Sequence, residues 1–411
     1  MSAMLLMILG GIIALGFLGN LFSERTRMPD LLLLIGIGLL LGPIFKIIPP
    51  DSVRPFMPAF GAIALTIILF EGGLDLDLRH TLRQAGRAVL LAVLAFGIAL
   101  LLGYYALMLG TGRQDRIVWA FAAALACTSA PIVIPVLARV LPRSPMRPLL
   151  AVESALSDAL AVIVVLLLQH FEGLPISGAA FAGRMGRSFL IGAVTAVIVG
   201  LIWLWLLSRF HARKYFYLMT IGIVFLMMGG VERFHGSGAL AVLVFGILLA
   251  NGSVLAGLVS RQAGERLQQA AGEGRTLHAR ITESHAELSL VTRTFFFVYL
   301  GTIFRWPGSD ARIWLSILLV TTGLLIGREI AVQILGWSTR VAARERRVLA
   351  AMLPRGLATA VLTALVVNTL GSGETEWETI ATFVVVITNV WMTLRLLKLR
   401  EEAPPAPKGG L

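Results

Sequence analysis

Thirteen uninterrupted apolar stretches run through this chain, at 2–22, 30–48, 57–77, 86–110, 117–139, 147–170, 188–208, 214–231, 237–259, 289–305, 311–337, 347–370 and 377–398. A helix needs about 20 apolar residues to cross the hydrocarbon layer of a bilayer, and most of these stretches match that length. Barrel strands would be shorter and would alternate apolar with polar, which these stretches do not. The expected fold class is therefore an all-α polytopic membrane protein with about 13 transmembrane helices, counted here as spans 1 to 13. Composition agrees. Hydrophobic residues make up 57% of the chain and charged residues 14%, against about a quarter charged in soluble domains. That balance excludes a cytosolic enzyme, a disordered chain and a nucleic-acid-binding domain. Cys127 is the one cysteine, so no intrachain disulfide can form.

The net charge of +12 has a membrane explanation. Of the 35 basic residues, 23 fall in alternate loops and the tail, whereas 9 fall in the remaining loops. Basic residues collect on the cytoplasmic side. The N-terminus is accordingly expected outside and the C-terminus in the cytoplasm, with the protein in the cell's inner (plasma) membrane. Span 1 lacks the charged leader and the small-x-small site of a cleaved signal peptide, so it is read as a span. Between Ser260 and residue 288 lies one long polar loop, expected to carry a short amphipathic cytoplasmic helix. Its His278, Glu283, His285 and Glu287 lack tight metal-ligand spacing and read as a solvated linker. Residues 401–411 form a short Pro-rich tail, and 1–400 read as a single transporter domain.

Ionisable groups at membrane depth are costly, so each is a candidate for function. Glu71 lies within span 3, deeper than Asp75 and Asp77, which read as ordinary helix-end residues. Span 6 carries Glu153 and Asp158. Five positions apart, they point about 140° away from each other on a helix. Ser154 is four residues before Asp158 and shares its face. Asp158 with Ser154 therefore reads as one site, and Glu153 needs another partner. Arg328, in the middle of span 11, supplies the natural counter-charge.

Two spans are interrupted. Pro131 in span 5 frees backbone groups around Cys127 and Thr128, and Pro354-Arg355-Gly356 does the same in span 12. Irregular backbone at that depth is tolerated where it is buried or lines a cavity; a simple proline kink is the bland alternative. Spans 5 and 12 are seven apart, so they enter the membrane from opposite sides. This predicts two inverted repeats, spans 1–6 and 8–13 with span 7 as linker, and a binding site near the midplane.

Phe-Glu-Gly-Gly-Leu-Asp-Leu at 70–76, Glu-Ser-x-x-Ser-Asp at 153–158, Arg-Thr-Phe-Phe-Phe-Val at 293–298 and Pro-Arg-Gly-Leu-Ala-Thr-Ala-Val at 354–361 occur in that order. In this the chain resembles the monovalent cation/proton antiporter superfamily, on its NhaP and sodium/hydrogen exchanger branch. The resemblance implies a six-helix core moving against a dimerisation domain, with crossed discontinuous helices at the ion site. It implies that Asp158 binds the proton and the cation, that Thr128 contributes a backbone carbonyl and Ser154 a hydroxyl, and that Glu71 is an accessory acid. It makes Glu153 and Arg328 a structural ion pair and sets Arg355 beside the second break. Where the family usually has Asn-Asp and Thr-Asp, this chain has Ser157-Asp158 and Thr128-Ser129. The electrogenic branch has two adjacent aspartates in span 6; one here implies that one charge is exchanged for one.

The expected function is secondary antiport of Na+ or K+ against H+, driven by competition for Asp158 through oxygen ligands from Thr128 and Ser154. The expected partners are those ions, the bilayer and a second copy of the chain, with no nucleic acid. No cofactor is expected. No Walker motif is present, so ATP-driven pumping is not expected. The alternative is sodium-coupled symport of an organic anion, for which only Arg328 and Arg355 are at hand. An intramembrane protease is a third reading, from His235-Gly-Ser-Gly and Gly371-Ser-Gly, but glycine-serine turns are common at span ends.

Overall fold

In lipid, backbone N–H and C=O groups find no water, so a spanning segment must satisfy them within itself. The described residues meet this with helices, and with two short breaks whose main-chain groups are bonded to neighbouring elements. A computed structural model describes residues 10–11, 13–19, 21–22, 25, 30–49, 57–74, 85–129, 132–133, 146–170, 178–209, 215–252, 277–339, 341–370 and 375–401, and among them no strand occurs. Pro131, the segment 260–276 and the tail beyond Glu401 lie outside the described residues.

Helices α1 (Asp30–Leu39), α2 (Met57–Leu74), α3 (Ala85–Thr111), α4 (Arg116–Ala126), α5 (Arg147–His170) and α6 (Gly178–Arg209) make up the first half. The second half holds α7 (Phe216–Arg233), α8 (Gly238–Ala250), α9 (Leu277–Thr302), α10 (Ala311–Thr339), α11 (Ala343–Ala351), α12 (Leu357–Thr369) and α13 (Thr375–Glu401). Six of the described helices (α3, α5, α6, α7, α10 and α13) are long and apolar enough to cross a membrane. The shorter apolar ones have identifiable stops. Around Pro43, α1 widens into a π-turn over Leu40–Ile44, since proline has no N–H for the regular ladder. Span 5 stops being helical after Ala126, and span 12 is non-helical over residues 352–356, between α11 and α12.

The stretch at 289–305 predicts a helix there, preceded by a polar loop. That loop is expected to carry a short amphipathic helix; helix α9 begins there, at Leu277, and runs without a break into the span, to Thr302. Its extra turns carry a face the residue types do not announce: Ile281, His285 and Ser289, four apart, are all buried. His285 is therefore an interior residue, with one ring nitrogen 3.2 Å from the Ile67 carbonyl and the other 3.0 Å from the Tyr217 hydroxyl.

The helices pack as two groups. In one, α1 lies along α9 and α2 along α8, flanked by α6 and α7. In the other, α3 lies along α10, and α4, α5, α11, α12 and α13 pack around that pair. The groups meet where α2 touches α5 and α12, and where α9 touches α12. Two glycine pairs let helix backbones touch in the first group. A Cβ on Gly38 of α1 would meet the Val298 carbonyl and come 2.8 Å from Gly301 Cα of α9. One on Gly246 of α8 would lie 2.8 Å from the Phe70 carbonyl and 3.0 Å from Gly73 Cα of α2. Asp30 at the start of α1 also pairs with Arg293 of α9 at 3.1 Å.

Overfilling a close-packed contact costs about 1–3 kcal/mol or more. Gly246→Leu should therefore lower the thermal midpoint of the detergent-solubilised protein by several degrees. Gly222→Leu, at a position where an added Cβ meets nothing within 4 Å, should leave it unchanged or raise it. Equal midpoints for the two variants would contradict the backbone contact.

Candidate functional site

Both helix breaks expose main-chain groups in the interior, and the two breaks lie against each other. After α4 the chain turns extended at Cys127, with φ −76° and ψ 150°. Three groups then need partners. The Thr128 N–H donates to Ser157 Oγ at 3.1 Å, and the Ser129 N–H to the Pro354 carbonyl at 3.1 Å. The Cys127 carbonyl accepts from Arg355 Nη1 at 2.7 Å. The first break is thus held by α5 on one side and by the second break on the other. Gly356 is required at their junction, because a Cβ there would collide with the Ser129 side chain. The second break is fixed by α13: the Arg355 N–H donates to Thr388 Oγ1 at 3.3 Å, and Asn389 Nδ2 donates to the Arg355 carbonyl at 2.7 Å.

A buried ion pair braces this junction from behind. Arg328 of α10 reaches Glu153 of α5 through two bonds, Nη1 to Oε1 at 2.9 Å and Nη2 to Oε2 at 3.3 Å. Its Nε donates to the Leu349 carbonyl in the last turn of α11, at 2.9 Å. Both side chains are buried. Thr128 Oγ1 adds a third donor to Glu153 Oε1 at 3.1 Å. A carboxylate with three donors is satisfied as an anion.

Asp158, one and a half turns along α5, is not satisfied. It is 7% exposed, and its Oδ1 is buried with no hydrogen-bond partner. The Cys127 thiol lies against the carboxylate. An isolated carboxylate in such surroundings needs a proton or a cation. Thr128, Ser154 and Ser157 gather three hydroxyl oxygens at the first break: Thr128 Oγ1 is 3.0 Å from Ser157 Oγ and 3.4 Å from Ser154 Oγ. Such oxygens are the donor type that hard cations take. Glu71, half-buried on α2, accepts from Ser289 Oγ of α9 at 2.8 Å.

The structure therefore brings Thr128, Ser129, Glu153, Ser154, Ser157, Arg328 and Arg355 together at the two breaks, next along α5 to Asp158, whereas Glu71 is bonded to Ser289 of α9. Ser154, four residues before Asp158 on α5, has its hydroxyl 3.4 Å from Thr128 Oγ1. Pro131 lies outside the described residues. Sequence reasoning placed Cys127 at the first break without a role for its thiol, and passed over Thr388 and Asn389, which carry no charge. Their signal was two adjacent polar side chains between the apolar runs 383–387 and 390–392. Among the described residues no cluster of three or more His, Cys, Asp or Glu side chains is arranged to hold a metal ion.

A family model described as "Sodium/hydrogen exchanger, transmembrane" matches residues 11–397. Na(+)/H(+) antiporter 1 of Methanocaldococcus jannaschii is 24% identical, over 97% of this chain and 97% of that protein. The solved structure of the sodium proton antiporter MjNhaP1 from the same organism, at pH 8, matches with a TM-score of 0.79 at 22% identity, covering 97% of this chain and all of that one. A second MjNhaP1 structure, from electron microscopy, matches with a TM-score of 0.75 at 22% identity. The fold is shared with these structures.

Removing one partner of a buried ion pair costs about 3–5 kcal/mol, because the other charge is left alone. Glu153→Gln and Arg328→Gln should each reduce the yield of monodisperse protein sharply in fluorescence-detected size-exclusion chromatography. The double replacement should recover much of the loss. A double variant as poor as the two single losses combined would show that the two charges do not support each other.

Proposed function

Because the chain belongs to the sodium/hydrogen exchanger family, we propose that it exchanges a monovalent cation, Na+ or K+, for H+ at Asp158. It is a multi-pass membrane transporter and not an enzyme. The observation that carries the reading is the unpartnered Oδ1 of a buried carboxylate at the junction of two helix breaks.

The mechanism is competition. A proton on Asp158 neutralises it. A dehydrated cation does so equally, with further oxygens supplied by Thr128, Ser154 and Ser157. The charged carboxylate alone is expensive to carry through a low-dielectric barrier, so only the two neutralised forms cross. Coupling follows from that rule without any cofactor. Glu153 is held as an anion by Arg328 and Thr128, which leaves Asp158 as the titrating acid of α5. One proton then exchanges for one cation, and the cycle is electroneutral. Glu71 serves as an accessory acid on the approach from α2.

The recurrence of close pairs, α1 on α9 and α2 on α8, supports the inverted-repeat reading, because a two-fold relating spans 2 and 9 also relates spans 10 and 3. The two packing groups support a core that moves against a dimerisation domain, with the transporter a homodimer in the cell membrane. The basic-loop asymmetry supports a cytoplasmic C-terminus, and a role in pH homeostasis follows from the exchange itself.

Asp158→Asn should fold and abolish Na+- or K+-dependent proton flux in proteoliposomes containing a pH-sensitive dye. Flux near the wild-type rate would remove Asp158 from the mechanism. Electroneutrality has a separate test. A net transported charge would couple the cycle to voltage by about 2.3 kcal/mol per 100 mV, so rates should not change when the membrane potential is clamped at different values. A systematic voltage dependence would mean that a second group, with Glu71 the first candidate, also changes charge.

A further inference from the structure

Among the described residues four acids are buried: Asp30, Glu153, Asp158 and Glu378. Three are already placed. Asp30 pairs with Arg293, Glu153 pairs with Arg328, and Asp158 keeps an unpartnered oxygen near the breaks. Glu378 has no part in the exchange described above. It lies in the first turn of α13. Acids are favoured there, because the N-terminal end of a helix dipole is positive. Glu376, exposed in the same turn, answers the dipole equally well, so the dipole does not explain why Glu378 is turned inward. Its Oε1 accepts from the Tyr299 hydroxyl of α9 at 3.2 Å, and Tyr299 is buried as well.

This bond joins the two packing groups, since α9 belongs to the first and α13 to the second. Tyr299 lies three residues before the end of α9, and Glu378 three residues after the start of α13. The bond therefore sits at one end of the interface. Arg395, Lys398 and Arg400 are at the opposite end of α13. The loop asymmetry that supports a cytoplasmic C-terminus thus supports an outer position for the bond. Asn389, which holds the second break, is eleven residues further along α13, roughly 16 Å at 1.5 Å per residue. The bond stands between that break and the outer end. The two groups part next to it: one turn along α13 an apolar cavity of about 470 Å3 lies between Ile35, Leu39 and Ile44 on one side and Thr382, Phe383 and Val386 on the other.

We infer that Tyr299 and Glu378 form an outer latch: their bond holds α13 against α9, keeps the exchange site closed to the outside, and opens whenever the site turns outward. The inference rests on the reading that the two groups move against each other to expose Asp158 on alternate sides. The sign follows from which state makes the bond. Removing the hydroxyl penalises the closed state alone, so the population shifts toward the outward-open form. Loss of a buried hydrogen bond that leaves its acidic acceptor in place changes such an equilibrium on the order of tenfold. The apparent affinity on each side scales with the population that faces it.

Cys127 is the chain's one cysteine and is buried at the first break, so it reports access to the site as it stands. The test is the rate at which a membrane-impermeant methanethiosulfonate modifies Cys127, applied outside intact cells and, in parallel, to inverted membrane vesicles. Tyr299→Phe keeps the ring that packs near Phe295 and Phe296 and removes the hydroxyl. It should raise the ratio of outside to cytoplasmic labelling on the order of tenfold. Glu378→Leu should do the same, and the double variant should go no further than Glu378→Leu alone, since the same bond is lost in each. In proteoliposomes of fixed orientation, the KM for Na+ outside should fall by a similar factor relative to the KM on the cytoplasmic side. Unchanged ratios in Tyr299→Phe would overturn the inference, as would faster labelling from both faces alike, which a merely loosened fold produces, or from the cytoplasmic face alone. Should the reagent reach Cys127 from neither face, the KM ratio decides alone. Should Glu378→Leu be recovered only in aggregated form, Tyr299→Phe decides. Flux retained in Asp158→Asn would strike the proposed exchange site instead and leave the labelling result standing, which keeps the two failures distinct.

Discussion

Backbone polar groups at membrane depth must be bonded inside the protein, and here that requirement shapes everything around the site. Two helices stop in the interior, after Ala126 and after Ala351. Each interruption would be ruinous alone. Together they are partners: Ser129 N–H on the Pro354 carbonyl and Arg355 on the Cys127 carbonyl. Ser157, Thr388 and Asn389 serve other exposed groups from neighbouring helices. The site is a by-product of this arrangement, since breaking a helix is what brings main-chain and hydroxyl oxygens to a depth where lipid would otherwise allow none.

The charges then sort by how fully each is answered. Glu153 has a bidentate arginine and a threonine hydroxyl, and it braces α5 against α10. Asp158, five residues further on, has no comparable set of donors. Two acids on one helix thus meet opposite surroundings, one paired on every side and one with an oxygen left without a partner. Arg328 does more than pair with Glu153. Its bond to the Leu349 carbonyl places a cation at the C-terminal end of α11, where the helix dipole is negative.

Much of this could be read from residue types, and the remainder could not for definable reasons. Long apolar stretches locate the helices, because hydrocarbon admits little else. Pro354 and Gly356 mark the gap between α11 and α12, since proline removes a donor and glycine tolerates the close approach of Ser129. A lone arginine in the middle of a span calls for an acid, and Glu153 was at hand. His285 was illegible because the helix that buries it runs through polar sequence: Thr282, Glu283, Ser284 and Glu287 mask the face made by Ile281, His285 and Ser289. Thr388 and Asn389 escaped notice because searching for intramembrane charge ignores neutral donors, whereas a broken helix needs neutral donors most. Helical spacing puts Ser154 on the face of Asp158, but it could not show that Thr128, from the break after α4, comes within 3.4 Å of the Ser154 hydroxyl.

The glycine pairs carry an evolutionary consequence. Where two side chains meet, a larger residue on one helix can be offset by a smaller one on the other, so such positions drift together. At Gly38 against Gly301, and at Gly246 against Gly73, the obstacle is the partner's main chain. No change of residue type on the facing helix makes room, because every amino acid brings the same backbone. These four positions have no compensating partner and can vary only if a whole helix moves aside. They should therefore stay glycine through descent even where the surrounding apolar residues exchange freely.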